Sequence, residues 1–375
     1  MPHVVGPGRR TILLTTPALG RPAIGGVGVS AARIARYLAA EWDVRVVVPT
    51  GDVASLACRR GELDGLTTLE VGQTGDGEAA LQRIADLLDE EAETAVEPVF
   101  AAFYCQRLAH AVTLAAARRG RRPVLFARGN DIDLDVFGPY GMHILHALDA
   151  ASRVFCVSRE MECKIRAYRP RAVTRYVPNG VDTATFDCRT PAAPRLRPVV
   201  GLFGDVKQKK GLELLLAALD FTTFDLRIVG SLREESRRLI HGFLTLYPEH
   251  RERVDLRPFT ADERELVDHY HDVDIVCVPS IHDGMANVML EALACGSACV
   301  CSAVGGARDV IIDGVNGFLF PPRSTAGLAA ALGRAAEAIR SDPAGIAQAA
   351  RAAALEHSAE IEADRYLREF ATLDS

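Results

Sequence analysis

The stretch "DIVCVPSIHDGMANVMLEALACGSACVCSAVGGARDVI", Asp274 to Ile311, alternates two kinds of segment. The runs "DIVCVPS" (274–280) and "SACVCSAV" (297–304) are short and continuously apolar, as strands covered on both faces are. Between them, "NVMLEALAC" (287–295) sets Val288, Met289, Leu290, Ala292 and Leu293 on a helix, with the turn "HDGMA" in front of it. Strand, helix and strand in that order make a parallel crossover unit. Two carboxylates disturb it. Asp283 stands just before the helix, and Glu291 lies eight residues later on an otherwise apolar face. A packing helix gains nothing from either, because a carboxylate withdrawn from water without a partner costs several kcal/mol. The pair therefore predicts a polar ligand at the strand end.

Working outward, the same alternation fills the chain. "TILLTT" (11–16), "VRVVVP" (44–49), "PVLFAR" (123–128), "RVFCVS" (153–158), "PVVGLFG" (198–204) and "DLRIVG" (225–230) read as further strands. Helical patterns cover 28–40, 79–93, 106–119, 159–167, 211–219, 231–246 and 325–339. This predicts an α/β protein with parallel sheets covered on both faces. "DCRTPAAPRLRP" (187–198), rich in proline and arginine, reads as a linker between two doubly wound, Rossmann-like domains, 1–187 and 188–345. The Ala-rich remainder, 346–375, is expected to form a helix packing back on the first domain. Ligands of such sheets bind outside the carboxyl ends of the strands, which predicts a cleft with the two domains facing across it.

Composition narrows the function. The 375 residues carry 43 basic and 49 acidic side chains, a net charge of −6, which provides no basic field for nucleic acid. No run reaches the ~20 apolar residues of a membrane span and the N-terminus lacks a signal-peptide core, so a cytoplasmic location is expected. "RRGRR" (118–122) reads as a solvated helix end rather than a membrane patch. The nine cysteines sit mostly in apolar runs, as reduced core residues do, and Cys295, Cys299 and Cys301 have no partner pair at zinc spacing. No metal and no resident cofactor are expected.

Glycine turns recur at strand ends. "GGVG", Gly25 to Gly28, opens a helix whose free N–H groups suit a phosphate. The loop "PALGRPAI" before it is too long for a dinucleotide fingerprint. "FGDVKQKKG" clusters Lys207, Lys209 and Lys210 at the end of another strand, where a departing diphosphate could be neutralised. The amides of Gly284 to Asn287 can hold an anion, and the two oxygens of Glu291 suit vicinal hydroxyls.

These residues resemble a known family. "PSIHDGMANVMLEALACGSACVCSAVGGARDVIIDGVNGFLFPP" (279–322) is similar to the donor-binding core of the retaining glycosyltransferases of family 4, which have the GT-B fold. "GGVG", "FCVSREM" (155–161), "VPNGVDTATF" (177–186) and "KKGLELLLAAL" (209–219) extend the likeness. The resemblance implies that Glu291 binds the ribose of a nucleotide-diphosphate sugar, and that Asp283 with Gly284, Met285, Ala286, Asn287 and Val288 holds the sugar. Lys210, Lys209 and the loop Gly26, Val27 and Gly28 would take the diphosphate, and Pro258 and Phe259 would lie near the base. Acceptor residues implied are Tyr104, Arg128, Asn130 and Asp131. The chain departs from the family pattern at Asp283, one methylene shorter than the usual glutamate, and at Asp205, which stands where an arginine is usual. Lys207 is expected to substitute, so Lys210, Lys207 and Asp283 are the expected catalytic groups. Phe103 and Arg128 stand where the family often has histidines, and His110 is off register.

The resulting expectation is a retaining glycosyltransferase, monomeric or homodimeric, that transfers a sugar from a nucleotide-diphosphate sugar to a hydroxyl of a small molecule or cell-envelope precursor without a metal. The rival expectation is a GT-B protein that binds nucleotide sugars as an epimerase-like or phosphorylase-like enzyme, or as a scaffold.

Overall fold

The computed structural model describes residues 8–19, 26–189 and 195–373. It divides into two compact units, Met1–Pro178 with Glu362–Ser375, and Asn179–Ile361.

The first unit is built on one sheet. Its strands are β1 (Thr11–Thr15), β2 (Asp43–Thr50), β3 (Cys58–Leu63), β4 (Leu66–Gly72), β5 (Val99–Phe103), β6 (Val124–Ala127), β7 (Arg153–Cys156) and β8 (Thr174–Tyr176), in the spatial order β3-β4-β2-β1-β5-β6-β7-β8. All pairs are parallel except β3 with β4. The helices are α1 (Gly26–Ala39), α2 (Gly77–Glu93), α3 (Arg107–Arg118), α4 (Asn130–Asp133), α5 (Gly141–Ala150) and α6 (Arg159–Tyr168). Ile12, Leu14, Val46, Phe103, Phe126 and Phe155 project from the strands into one core with Ile34 and Leu38 of α1.

The second unit has six parallel strands, β9 (Val199–Phe203), β10 (Asp225–Val229), β11 (Val254–Arg257), β12 (Ile275–Val278), β13 (Ala298–Ser302) and β14 (Phe318–Phe320), ordered β11-β10-β9-β12-β13-β14. Its helices are α7 (Leu212–Ala218), α8 (Glu234–Leu246), α9 (Glu263–His271), α10 (Asn287–Ala294), α11 (Ala307–Val310), α12 (Thr325–Ser341) and α13 (Pro343–Leu355), and α14 (Ala359–Ala371) ends the chain. From β9 the chain winds one way through β10 and β11, then returns to β12 and winds the other way. The reversal between β9 and β12 is a topological switch point, where the carboxyl ends of neighbouring strands splay their loops and leave a crevice.

The unit boundary falls at Pro178/Asn179, not in the proline-rich stretch 187–198, of which residues 190–194 lie outside the described residues. Hydrogen bonds explain the difference. Val181 N donates to His357 O at 3.0 Å, and Arg351 donates to Phe186 O at 2.6 Å, Thr183 O at 2.7 Å and Ala294 O at 2.8 Å, so 179–187 is stitched into the second unit. For the same reason the segment 346–361, with most of α13, belongs to that unit, and only Glu362 onward belongs to the first. There Tyr366 and Phe370 of α14 pack on Phe155, with ring centroids 5.2 and 5.7 Å apart. Arg33 of α1 holds the buried Glu362 at 2.7 Å.

Candidate active site

At the switch point of the second sheet, the loop after β9 is pressed against the loop after β12. Gly211 has φ +74° and leads into α7, and a Cβ there would lie 2.0 Å from Pro279 O, so only glycine fits. Ile281 N donates to Lys209 O at 2.8 Å. The turn after β13 closes in from the other side. Gly305, φ +49°, would place a Cβ 1.9 Å from Asp283 O, and Gly306 N donates to Gly284 O at 2.7 Å. Two strand-end loops thus converge on 279–287, the loop after β12.

The side chains there are paired. Lys210 Nζ lies 2.8 Å from Asp283 Oδ2, with the two side chains 19% and 17% exposed. Burial by itself would raise the Asp283 carboxyl, but Lys210 and Lys209 outweigh it and hold the group down at about 2. Asp283 is therefore a carboxylate at neutral pH, poised to accept hydrogen bonds. Ser280 Oγ is 3.4 Å from the same oxygen. Gly284, Met285 and Ala286 are buried, while Asn287 and Val288, at the start of α10, are half-buried. Asn179 fixes this turn by donating to Met285 O at 3.1 Å and to Asn287 Oδ1 at 2.9 Å. No side chain caps the N-terminus of α10, so its first-turn N–H groups are suited to an anion.

Glu291 accepts a 2.7 Å hydrogen bond from the hydroxyl of Tyr270, which is buried against Phe203 with ring centroids 4.3 Å apart. Burial and the neighbouring Glu291 push the Tyr270 phenol well above its ordinary value, so it stays a donor. Tyr270 and Asn179 are parts of the site that residue reading alone missed. Asn179 lies within the quoted "VPNGVDTATF" motif, whereas Tyr270 lies in an exposed-looking helix, "ERELVDHYH", and gives no local signal. Asp205, Lys207 and Lys209 occupy the loop after β9, and Pro258 and the 47% exposed Phe259 follow β11 at the sheet edge.

In the first unit, α1 opens at the exposed Gly26, with Val27 half-buried and Gly28 buried; Gly25 lies outside the described residues. The expected acceptor residues behave differently from the donor set. Asp131 is completely buried and accepts from the backbone N–H groups of Cys105 (2.9 Å), Arg128 (3.1 Å), Gly129 (2.7 Å) and Ile132 (3.1 Å). Burial pushes this carboxyl up, against the pull of those N–H groups. An acceptor-binding role for Asp131 is thus replaced by a structural one, because its oxygens are already used. Arg128 lies over the Phe103 ring, 4.7 Å from its centroid, and approaches Tyr366 OH at 3.5 Å, and burial lowers its pKa. Tyr104, φ +88°, is buried and donates its N–H to Phe126 O, and Asn130 starts α4. Asp133 pairs with Lys164 at 2.7 Å and Asp135 accepts from Gln106 at 2.5 Å, so every acid of "DIDLD" is engaged. The open space lies nearby, a depression of about 400 Å³ lined by Gln73, Gln106, Arg107, Asp135 and Tyr140 among others. "RRGRR" is largely absorbed by its neighbours, with Arg118 on Asp86 at 2.8 Å and Arg122 on Ala151 O at 2.7 Å.

Among the described residues, no helix is long and apolar enough to cross a membrane. All nine cysteines are free.

Two units, each a mostly parallel sheet of Rossmann type and the second with cations and acids at its switch point, define a class of doubly wound α/β folds. Family models narrow it. One described as "Glycosyltransferase Family 4" matches residues 24–185, and one described as "Glycosyl transferases group 1" matches 197–338, together most of the chain. The protein belongs to this glycosyltransferase family and has its GT-B fold. It is 34% identical over 160 residues to the D-inositol 3-phosphate glycosyltransferase of Xylanimonas cellulosilytica, 38% of each chain. It is 38% identical over 92 residues to a glycogen synthase of Mycobacterium tuberculosis, 24% of this chain and 21% of that one. These curated relatives are therefore matched over well under half of their own length. Among solved structures, the sucrose-phosphate synthase of Thermosynechococcus elongatus superimposes with a TM-score of 0.78 at 21% identity, over 97% of this chain and 100% of that one. HepE of Anabaena in complex with UDP superimposes with a TM-score of 0.77 at 20% identity, over 97% and 100%. At such identities the likeness is one of fold.

Proposed function

We propose that the protein is a retaining glycosyltransferase that moves a sugar from a nucleotide-diphosphate sugar to a hydroxyl acceptor without a divalent metal. The observation that carries this reading is the Lys210–Asp283 pair set at the switch point beside Glu291, with the uncapped start of α10 between the two acids. Lys210 and the α10 N–H groups would take the charge that develops on the departing diphosphate. Asp283 would accept hydrogen bonds from the sugar, and Glu291, its carboxylate oriented by Tyr270, would accept from the ribose hydroxyls. Gly26 and Gly28, at the start of α1, would offer close backbone approach to an anion. Phe259 would offer a face for the base. The acceptor would be taken up by the first unit, in the depression lined by Gln106, Arg107, Asp135 and Tyr140 rather than at Asp131. The fold family and the bound UDP of a structural neighbour support a nucleotide donor. Localisation in the cytoplasm is part of the same proposal.

The test is release of nucleoside diphosphate from UDP-, GDP-, ADP- and TDP-sugars with a panel of hydroxyl acceptors, with and without EDTA, and the anomer of the product read by NMR. Acceptor-dependent release that survives EDTA and preserves the anomeric configuration is expected. An inverted product or a strict metal requirement would refute the corresponding part of the reading.

A further inference from the structure

The loop after β9 places an acid, Asp205, where an anion is to be held, immediately after Gly204. Gly204 is not remote from the site, because a Cβ on it would lie 3.7 Å from Val288 on the first turn of α10. A carboxylate there would repel a diphosphate unless it were neutralised. It is more than neutralised. Arg233, from the loop after β10, makes a two-pronged contact with it, Nε to Oδ1 at 2.9 Å and Nη2 to Oδ2 at 2.8 Å, and Lys207 Nζ stands 3.4 Å from Oδ2. The Asp205 side chain is only 7% exposed, whereas those of Arg233 and Lys207 are 48% and 41% exposed. The acid is buried beneath two cations that face solvent. Although burial would raise its pKa, Arg233 and Lys207 hold the Asp205 carboxyl below its usual range, so it is ionised and keeps its grip.

The backbone fixes the geometry further. Val206 N donates to Ser231 O at 2.8 Å, and Ser236 Oγ donates to Val206 O at 2.8 Å, so the two loops are tied together. Arg233 spends Nε and one edge of Nη2 on Asp205, which leaves the donors of Nη1 and the outer Nη2 hydrogen in the same plane for a second anion. Lys210 is already tied to Asp283, a neutral pair, and the positive charge that Arg233 and Lys207 together carry in excess of Asp205 adds to that of Lys209.

We infer that Arg233 is a diphosphate-binding residue of this protein, delivered from the loop after β10, and that Asp205 is the positioning residue that holds it there. This rests on the donor-site reading given above and adds a residue to it. Lys207, a point charge with one long contact, plays the lesser part.

The experiment is calorimetric titration of UDP, GDP, ADP and TDP, and of the corresponding monophosphates, into wild type and the variants Arg233→Ala, Asp205→Asn, Arg233→Ala with Asp205→Asn, and Lys210→Ala, each checked by thermal melting. Arg233→Ala is expected to weaken the bound diphosphate about 10- to 100-fold, the range for a hydrogen bond to a charged group, and the monophosphate much less. Asp205→Asn is expected to weaken diphosphate binding when Arg233 is present and to strengthen it in the Arg233→Ala background, where the acid would only repel. That reversal of sign is the signature of positioning, and a merely structural ion pair would not produce it. If Arg233→Ala leaves diphosphate affinity unchanged while Lys210→Ala lowers it, the inference fails and the donor site stands. Equal losses for mono- and diphosphate with a lowered melting temperature would also overturn it. If wild type binds no nucleotide, the donor-site reading fails and takes the inference with it.

Discussion

The two sheets end in strand loops of similar topology but use their acids in opposite ways. At the end of the second sheet, Asp283, Glu291 and Asp205 are held by side chains, namely Lys210, Tyr270 and Arg233, which can be shared with or exchanged for a ligand. In the first unit, Asp131 is held by four backbone N–H groups, which are fixed by the fold and cannot be given up. Acid-rich sequence at a strand end therefore does not by itself mark a binding site. What matters is whether the partner can move.

The largest expected effect tests that contrast directly. Asp131→Ala would leave buried N–H groups unsatisfied, at about 1–3 kcal/mol each, and is expected to lower the melting temperature severely or prevent folding. Asp131 placed instead in an acceptor site would give a stable protein with a raised acceptor KM. Lys210→Ala comes next. It strands the largely buried Asp283 and is expected to cost about 3 kcal/mol of stability, read by denaturant melts, and to lower kcat/KM by about 100-fold or more.

The Lys210–Asp283 pair also has a pH signature. The Asp283 carboxyl sits at about 2 in the folded chain against about 3.9 when unfolded, so its contribution of roughly 2–3 kcal/mol is present above pH ~4 and is lost as the pH falls toward 2. Melting curves of wild type and Asp283→Asn should converge over that window; a constant gap would contradict the pairing. Tyr270→Phe is a smaller change, expected to cost about 1 kcal/mol of stability and a few-fold in donor affinity through a less ordered Glu291. Lys207→Ala is expected to weaken a diphosphate least.

Much of this was legible in the sequence, and the exceptions have physical causes. Strands covered on both faces, such as "IVCV" in β12 and "ACVCS" in β13, announce themselves as apolar runs. β3, "CRRGEL", does not, because it is an exposed edge strand defined by its hairpin with β4, whose turn at Asp64 and Gly65 takes positive φ at both residues. The short edge strands β8, β11 and β14 lack the length to give a pattern. Asp283, Glu291 and Lys210 could be found from strand-end position and local motif. Arg233 could not, since its role depends on a partner 28 residues away and on the register of β10 beside β9. The depression around Arg107 and Tyr140 is likewise assembled from loops and from the helices α2, α3 and α5, which no local motif connects. The linker reading failed for a related reason: composition marked 187–198, but long-range hydrogen bonds from Asn179 and Arg351 set the boundary.

The most direct measurement is calorimetric titration of UDP, GDP, ADP and TDP into wild type and Glu291→Ala, a substitution at a half-buried carboxylate on α10. One diphosphate should bind wild type and lose about tenfold or more in affinity on Glu291→Ala, measured below the lower melting temperature expected of a variant in which the buried Tyr270 hydroxyl loses its acceptor. Equal affinity for the two proteins would contradict a donor site at the switch point of the second sheet.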